Sequence, residues 1–250
     1  MRSLMLIVVV TCLGCWFSGC GSYNNPTNSQ TTATLAGNWQ FTYVSTKNGS
    51  SIVSGTLTQT GSNFSGTVTI TNSCAASGTI SGTISGSSLT GTITETNPET
   101  ISVTGTVASN YGSANGTYQV MTATGACAAA MGDSGTWTGT HIMVAGGGYG
   151  GRVRPADRMP VQLNLNLKDD AGSGQLSGTA TFTNSACLHS MNVAGTLSGM
   201  DLELHGDSGT DGSVVLSGTT DKEGKILTLN SNVSGTCQAE SGAVTLTKVL

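Results

Sequence analysis

The chain has 250 residues, of which 9% are charged and 5% aromatic, and its formal net charge is −4. Because phosphate recognition needs clustered Lys and Arg, this composition argues against nucleic acid as a partner. Glycine contributes 36 residues and proline 4. Together with abundant Thr and Ser, this composition favours β-strands joined by tight turns and argues against charged disorder.

The first twenty residues have the pattern of an export signal. Arg2 is followed by an apolar stretch, Leu4–Phe17, which is too short to span a bilayer, and small residues precede Cys20. The sequence FSGC, ending at Cys20, resembles the lipobox of bacterial lipoproteins. The resemblance implies cleavage before Cys20, a diacylglycerol on its sulfur and acylation of the new N-terminus. The alternative is an ordinary secretory signal in which Cys20 has no role.

This resemblance also implies where the protein is found. Residues 1–19 are expected to be a signal peptide, and residues 20–35 a flexible, lipid-anchored tether rich in Asn, Ser and Thr. Several acyl chains anchor a protein stably, so we expect a cell-envelope protein whose partner is membrane lipid through Cys20. In a cell with an outer membrane, Gly21 implies sorting to that membrane, because the family's inner-membrane retention signal is usually Asp.

Residues 36–142 are predicted to form a first β domain of eight antiparallel strands. Gly-Thr dipeptides recur at about the spacing of one strand plus one turn, and apolar residues alternate around them with Thr and Ser. Mid-strand glycines on the apolar face permit the bending of a small barrel. We therefore predict an all-β, up-and-down barrel-like fold, with a β-sandwich as the alternative. Strands are expected to begin near Asn38, Ser51, Asn63, Ser77, Ser88, Ile101, Ser113 and Ser134.

Two tryptophans lie on the first and last of these strands. Trp39 ends the sequence Gly37-Asn38-Trp39, and Trp137 lies on the eighth strand. A Gly-x-Trp opening of a small meander barrel resembles the start of lipocalins and avidins, over three residues plus a strand count. The resemblance implies a barrel and brings no ligand-site pattern with it. Trp39 and Trp137 are candidates to face a ligand, although a role in filling the core is the preferred interpretation.

The second half of the chain repeats the first. Ten positions leading to Cys74 reappear before Cys187 with one inserted residue, and the motif around Cys127 returns around Cys237. We interpret the halves as a duplication. Of the seven cysteines, Cys12 and Cys15 lie in the predicted signal and Cys20 is expected to carry the lipid. The remaining four, in an exported chain, indicate a disulfide framework with three possible pairings. The repeat selects one disulfide per domain, Cys74–Cys127 and Cys187–Cys237.

Residues 143–160 are expected to be a linker, since Gly, Pro and Arg dominate them. Arg152, Arg154 and Arg158 form a basic cluster there. They could contact anionic lipid headgroups or polysaccharide carboxylates, and a charged linker is the simpler interpretation.

Residues 161–250 are predicted to form a second β domain. No counterpart of the Trp39 strand is evident, so this domain is expected to be an incomplete barrel or to share a sheet with the first. Its strands are expected at Val161–Leu167, Gln175–Thr183, Met191–Leu197, Leu202–His205, Ser213–Thr219, Ile226–Asn230 and Ala243–Val249.

The chemistry-bearing side chains form no recognisable catalytic pattern. The histidines lack metal-ligand spacing and no Gly-x-Ser-x-Gly motif occurs. Asp201, Glu203 and His205 alternate along one strand and are expected on a solvated face. Glu95 and Glu99 flank a turn and are expected to be exposed rather than to act as a glycosidase pair.

These observations predict a protein without catalytic residues, metal or cofactor. We expect a non-catalytic binding module, holding a small apolar ligand or a glycan, or an envelope structural module. The alternative is an enzyme that acts on the envelope or on polysaccharide, with Asp201, Glu203, His205 or the linker arginines taking part.

Overall fold

The computed structural model describes residues 34–71, 74–170, 172–209 and 212–249. The predicted signal peptide, the lipobox with Cys20 and nearly all of the predicted tether lie outside these residues. The described residues form two closed, eight-stranded antiparallel barrels that follow one another in sequence. This confirms the all-β, up-and-down prediction. No helix in the described part of the chain has the length and hydropathy to cross a bilayer.

Barrel 1 is a meander in which each strand pairs with the next and the eighth pairs with the first. A short 3-10 helix, η1 (Gly125–Ala130), precedes its last strand. The alternation of apolar residues with Thr and Ser places the strands within two residues of their predicted starts. They are β1 (Gly37–Ser45), β2 (Ser50–Thr60), β3 (Asn63–Thr71), β4 (Ser77–Ser85), β5 (Ser88–Glu95), β6 (Glu99–Val107), β7 (Ser113–Ala123) and β8 (Ser134–Ile142).

Barrel 2 has the same topology, and a second 3-10 helix, η2 (Gly235–Glu240), again precedes its last strand. Its strands are β9 (Gly147–Val153), β10 (Val161–Asp169), β11 (Gln175–Thr183), β12 (Ser190–Ser198), β13 (Asp201–Asp207), β14 (Ser213–Thr220), β15 (Ile226–Val233) and β16 (Gly242–Val249).

Strand β9 corrects the prediction of a linker over residues 143–160. It pairs with β10 and β16 and so closes barrel 2, which is therefore neither incomplete nor part of a shared sheet. Tyr149 and Val153 point into the core at 0% and 1% exposure. Between them, a Cβ on Gly151 would lie 2.2 Å from the Thr245 carbonyl oxygen. Because close strand approach requires glycine there, the strand lacks the apolar alternation by which the others were predicted.

Both barrels are plugged in the same way at one end. Trp39 Nε1 donates a hydrogen bond to the Leu35 carbonyl at 2.8 Å, and Tyr149 Oη donates to the Ala145 carbonyl at 3.1 Å. Leu35 and Ala145 are 1% and 0% exposed. Tyr149 is thus the counterpart of Trp39. Leu35 belongs to barrel 1 and not to the flexible tether predicted for residues 20–35, because it is buried under the first strand's aromatic side chain.

The duplication predicted from the repeat is also seen in the disulfides. Cys74 joins Cys127, and Cys187 joins Cys237, with Cα–Cα distances of 5.2 and 6.1 Å. Each disulfide ties the loop between the third and fourth strands of its barrel to the 3-10 helix. One disulfide per domain is therefore confirmed.

Hydrogen bonds fix one barrel against the other. The buried Asn38 amide donates from Nδ2 to the Gly199 carbonyl at 2.7 Å and accepts the Gly199 N–H at 2.8 Å. Beside it, the Met200 N–H donates to Gln40 Oε1 at 3.0 Å. Thr56 Oγ1 donates to the Ser173 carbonyl at 3.0 Å. The first strands of barrel 1 therefore meet the turns of barrel 2 through directional contacts.

Candidate functional site

The two ends of barrel 1 differ. At the end where β1 begins, Leu35 and Trp39 close the interior. At the end where β1 finishes, a partly open cavity of about 230 Å³ lies beneath η1 and the Cys74–Cys127 disulfide. Aliphatic residues form much of its wall, and the polar side chains that line it include Tyr43, Glu95, Glu99, Tyr118 and Asp133.

Two of these carboxyl groups come from one hairpin. Thr94 of β5 pairs with Thr100 of β6, so the next step of the ladder sets Glu95 opposite Glu99. The side chains are 6% and 4% exposed. The prediction that they are solvated was wrong, because the inward face that carries Ile93 extends one residue pair further before the turn.

Glu99 lies in a setting that disfavours its charge. Burial, and secondly the nearby Asp133, raise the pKa of the Glu99 carboxyl above its ordinary value. Its Oε2 lies 3.2 Å from Cys74 Sγ, and a disulfide sulfur carries no hydrogen to donate. Like charges directly opposite on a sheet repel. Protonation of one carboxyl group, or a positively charged partner, would therefore stabilise the opposed side chains of Glu95 and Glu99.

Asp133 is held by the barrel itself. It accepts hydrogen bonds from Ser45 Oγ, at 2.7 Å to Oδ2, and from Tyr118 Oη at 3.2 Å. The Ser134 N–H donates to its Oδ1 at 2.8 Å. Burial raises the pKa of both Tyr43 and Tyr118, so both phenols keep their protons at neutral pH. Asp133 thus ties the end of β1 to the start of β8 and fixes Tyr118 at the cavity wall.

The cavity has a clear chemical character. None of the described residues that line it is Lys, Arg or His. The side of the cavity near Ile93 and Ile101 is apolar, and the polar side presents carboxyl and phenol oxygens. Such a surface complements a ligand that has an apolar body and a group that donates hydrogen bonds or carries a positive charge.

Barrel 2 has the same scaffold with different residues at these positions. Glu240 of η2 is buried at the corresponding end, but it accepts hydrogen bonds from Ser185 Oγ and the Ala186 N–H. Its carboxylate is thus satisfied by the protein. The ladder registers place Ser208, Gly212, Val153 and Ser231 where barrel 1 has Glu95, Glu99, Tyr43 and Tyr118.

Both tryptophans singled out from the sequence lie in the core of barrel 1. Trp39 is 0% exposed and stacks on Phe41 at a centroid distance of 5.6 Å. Trp137 is 2% exposed, and its Nε1 donates to the Thr104 and Thr117 carbonyls at 3.2 and 3.1 Å. Neither side chain lines the cavity under η1.

The arginines of residues 143–160 and the charged residues of β13 lie away from this cavity. Arg152 is exposed on β9 and Arg154 just after it. Arg158 borders a shallow depression on barrel 2, together with Glu240. The side chains of Glu203 and His205 contact each other on the outside of β13 and are 56% and 60% exposed. The solvated face predicted for these strand residues is confirmed.

Comparisons with known proteins identify no family and no function for this chain, so the function has to be inferred from the site. No protein-family model matches the chain, and no curated protein matches it. Among solved structures, kievitone hydratase from Nectria haematococca aligns with 85% of this chain and 89% of its own, at 12% identity and a TM-score of 0.21. A TM-score of this size carries no argument about fold or activity.

Proposed function

We propose that this protein is a lipid-anchored binding protein of the cell envelope that holds a small ligand, without transforming it, in the cavity of barrel 1. One observation carries the proposal. Both barrels keep the plug, the disulfide, the 3-10 helix and a buried acid before the last strand, Asp133 or Glu240, whereas the opposed pair Glu95–Glu99 at a cavity is found in barrel 1 and not at the matching ladder positions of barrel 2. A shared scaffold with one divergent end indicates that this end has a role of its own.

The cavity limits the size and charge of the ligand. At about 230 Å³ it is smaller than the roughly 300–1,000 Å³ typical of sites for drug-sized molecules. A chain of sugars does not fit inside it. The apolar wall suits a compact hydrocarbon body, and the buried Glu95–Glu99 pair suits a protonated amine, which donates to both carboxylates and offsets their repulsion. A small amphipathic amine is the class of ligand we propose.

Matched probes test this proposal. The full chain is screened by calorimetry against small alkyl and aryl amines and against alcohols and carboxylic acids of the same shape. We expect the amines to bind and the acids not to bind. The substitution Glu99→Gln is expected to weaken amine binding by about tenfold or more, which is about 1.4 kcal/mol. The control Glu223→Gln alters an exposed carboxylate and should change nothing. Equal binding of amines and acids, or binding of neither, would contradict the proposal.

The membrane location has its own test. The lipobox resemblance at Cys20 supports anchoring by acyl chains, with residues 21–34 as the tether, and outer-membrane sorting in a cell that has an outer membrane. Intact-mass analysis of the protein from the membrane fraction should find lipid on a fragment that begins at Cys20. Cys20→Ser should release the protein from that fraction. Wild-type protein without lipid mass would contradict the proposed lipid anchor and would not affect the proposed ligand binding.

A hydrolytic enzyme is the second candidate. One carboxylate oxygen of Glu95 and one of Glu99 lie within 4.8 Å of each other. This distance is close to the roughly 5–5.5 Å between the two carboxyl groups of retaining glycosidases. Incubation with aryl glycosides distinguishes the two functions. Turnover that is lost in both Glu95→Gln and Glu99→Gln would favour the enzyme. Amine binding without turnover would favour the binding protein.

A further inference from the structure

The disulfide of barrel 1 and the buried glutamate pair form one cluster. The Sγ atoms of Cys74 and Cys127 and one carboxylate oxygen each of Glu95 and Glu99 all lie within 4.8 Å of one another. Cys127, Glu95 and Glu99 are buried and Cys74 is half-buried. The four residues come from the β3–β4 loop, η1, the end of β5 and the start of β6. The closed barrel therefore brings together side chains that are far apart in sequence.

We propose that reduction of the Cys74–Cys127 disulfide turns this cluster into a binding site for a thiophilic divalent cation such as Zn²⁺. The ligands are the two thiolates and the carboxylates of Glu95 and Glu99. The inference goes beyond the proposed amine binding and does not depend on it, because it concerns the reduced protein and a different ligand.

The observed distances suit a tetrahedral metal. Zn–S bonds of about 2.3 Å and Zn–O bonds of about 2.1 Å put sulfur and oxygen ligands about 3.6 Å apart. Glu99 Oε2 already lies 3.2 Å from Cys74 Sγ. Once the Cys74–Cys127 disulfide is broken, the two sulfur atoms need a separation of about 3.8 Å to bind one Zn²⁺. The Cα–Cα distance of 5.2 Å allows this separation by side-chain rotation.

Neighbouring contacts hold the ligands near one another without the disulfide. Asn97 Nδ2, in the turn between Glu95 and Glu99, donates a hydrogen bond of 2.6 Å to the Cys74 carbonyl. The β3–β4 loop is thus attached to the β5–β6 turn independently of the sulfur bridge. Both glutamates are on strands of the closed barrel. A divalent cation would also offset the repulsion between the two opposed carboxylates.

The chemistry balances with a dithiol reductant. Its two thiols become a disulfide and supply two electrons and two protons, while the S–S bond of Cys74–Cys127 breaks to give two thiols. Metal binding then displaces the two thiol protons to solvent, leaving two metal-bound thiolates.

Barrel 2 provides an internal comparison. Its disulfide, Cys187–Cys237, has Ser208 and Gly212 at the ladder positions of the two glutamates. The nearby Glu240 is already held by hydrogen bonds from residues 185 and 186. Reduction there creates no equivalent ligand set among the described residues. The inference is therefore one metal site per chain, in barrel 1.

The test uses the full chain in detergent, reduced anaerobically with a water-soluble phosphine and titrated with Co²⁺. The phosphine takes up the oxygen of one water per disulfide and leaves two thiols, so it adds no competing thiol ligand. We expect a thiolate-to-cobalt charge-transfer band and the visible bands of tetrahedral Co²⁺, saturating at one ion per chain. Zn²⁺ should bleach both, and the oxidised protein should show neither.

Two double variants decide which residues bind. Glu95→Gln with Glu99→Gln keeps both disulfides and nearly the same volume, and should weaken Co²⁺ binding by tenfold or more. Cys187→Ser with Cys237→Ser should leave the titration unchanged. Cobalt bands that survive the glutamine changes at full affinity, or that vanish with the barrel 2 cysteines, would overturn the inference. So would reduced protein that shows no bands, including protein whose circular dichroism reveals lost β-structure, since the site is argued to be held by the barrel.

Discussion

Gly116 shows at the scale of one residue how tightly the strands of barrel 1 approach each other. A Cβ at this position would lie 1.9 Å from the Thr104 carbonyl oxygen and 2.6 Å from the Gly105 Cα. Both neighbours are backbone atoms, so no side-chain rotation can relieve the contact. The absence of a side chain is therefore a packing requirement of the β6–β7 pair.

We expect Gly116→Ala to lower the free energy of unfolding of barrel 1 by about 1–3 kcal/mol, the usual cost of overpacking a core. Denaturant titration followed by tryptophan fluorescence measures the change. The control is Gly112→Ala, where the nearest atom to a Cβ is Asn110 Oδ1 at 3.4 Å, and its effect should stay within about 0.5 kcal/mol. Equal losses from the two substitutions would show that the close approach has no energetic weight.

His141 gives the molecule a dependence on pH. Its ring lies 5.1 Å from that of Trp39, and burial lowers its pKa below the ordinary value of 6.5, against a smaller opposing effect of a backbone hydrogen bond to Ala36. A base with a depressed pKa in the folded state contributes stability above its unfolded pKa. That stability is lost as the pH falls through the folded pKa.

The melting temperature should therefore fall between about pH 7.5 and about pH 5, and His141→Asn should flatten part of that fall. Thermal unfolding by circular dichroism at the two pH values measures it. The control substitution is His189→Asn, which replaces an exposed histidine. A profile unchanged by His141→Asn would show that this side chain titrates normally.

At the scale of the strand, alternation of apolar residues with Thr and Ser predicted most of the fold. It worked because each barrel strand has one wet and one dry face, and because turn residues mark the ends. It missed β9, because glycines occupy most of this strand and only Tyr149 and Val153 are large side chains that face the core. It also assigned Glu95 to the edge of a turn, although β5 continues to this residue and its side chain points inward. The cavity was not predictable, because its volume depends on how side chains from several strands fill a common space.

The plug at the start of β1 is the element whose removal should matter most. Leu35→Ala is expected to lower the free energy of unfolding of barrel 1 by about 2–5 kcal/mol, since it empties a fully buried position beside Trp39. Val44→Ala, at the other end of β1 where the side chain is 51% exposed, should cost less than about 1 kcal/mol. Denaturant midpoints measure both. If Leu35→Ala left the stability unchanged, Leu35 would have to be assigned to the tether and not to the core of barrel 1.

At the scale of the whole molecule, the barrels are joined by more than the short connection between β8 and β9. Asn38 is 2% exposed, and its side-chain amide bonds both the N–H and the carbonyl of Gly199. Both backbone groups would be left without these partners if the barrels separated locally. We therefore expect the unfolding of the two barrels to be energetically coupled through this contact.

We expect the wild-type chain to unfold in one calorimetric transition, and Asn38→Ala to weaken the coupling by about 1–3 kcal/mol, enough to broaden or split that transition. The control Thr58→Ala removes an exposed hydroxyl on the neighbouring strand that bonds within barrel 1. It should preserve a single transition. Two separate transitions already in the wild type would show that the barrels are energetically independent.

The plug also gives barrel 1 a polarity with respect to its own chain. The polypeptide enters beside Leu35 at the sealed end, runs through the nine residues of β1, and leaves at Ser45 on the rim of the cavity. Any attachment upstream of residue 35 therefore restrains the sealed end. For a chain anchored through Cys20 as proposed, the point of attachment to barrel 1 is thus the pole opposite the cavity entrance.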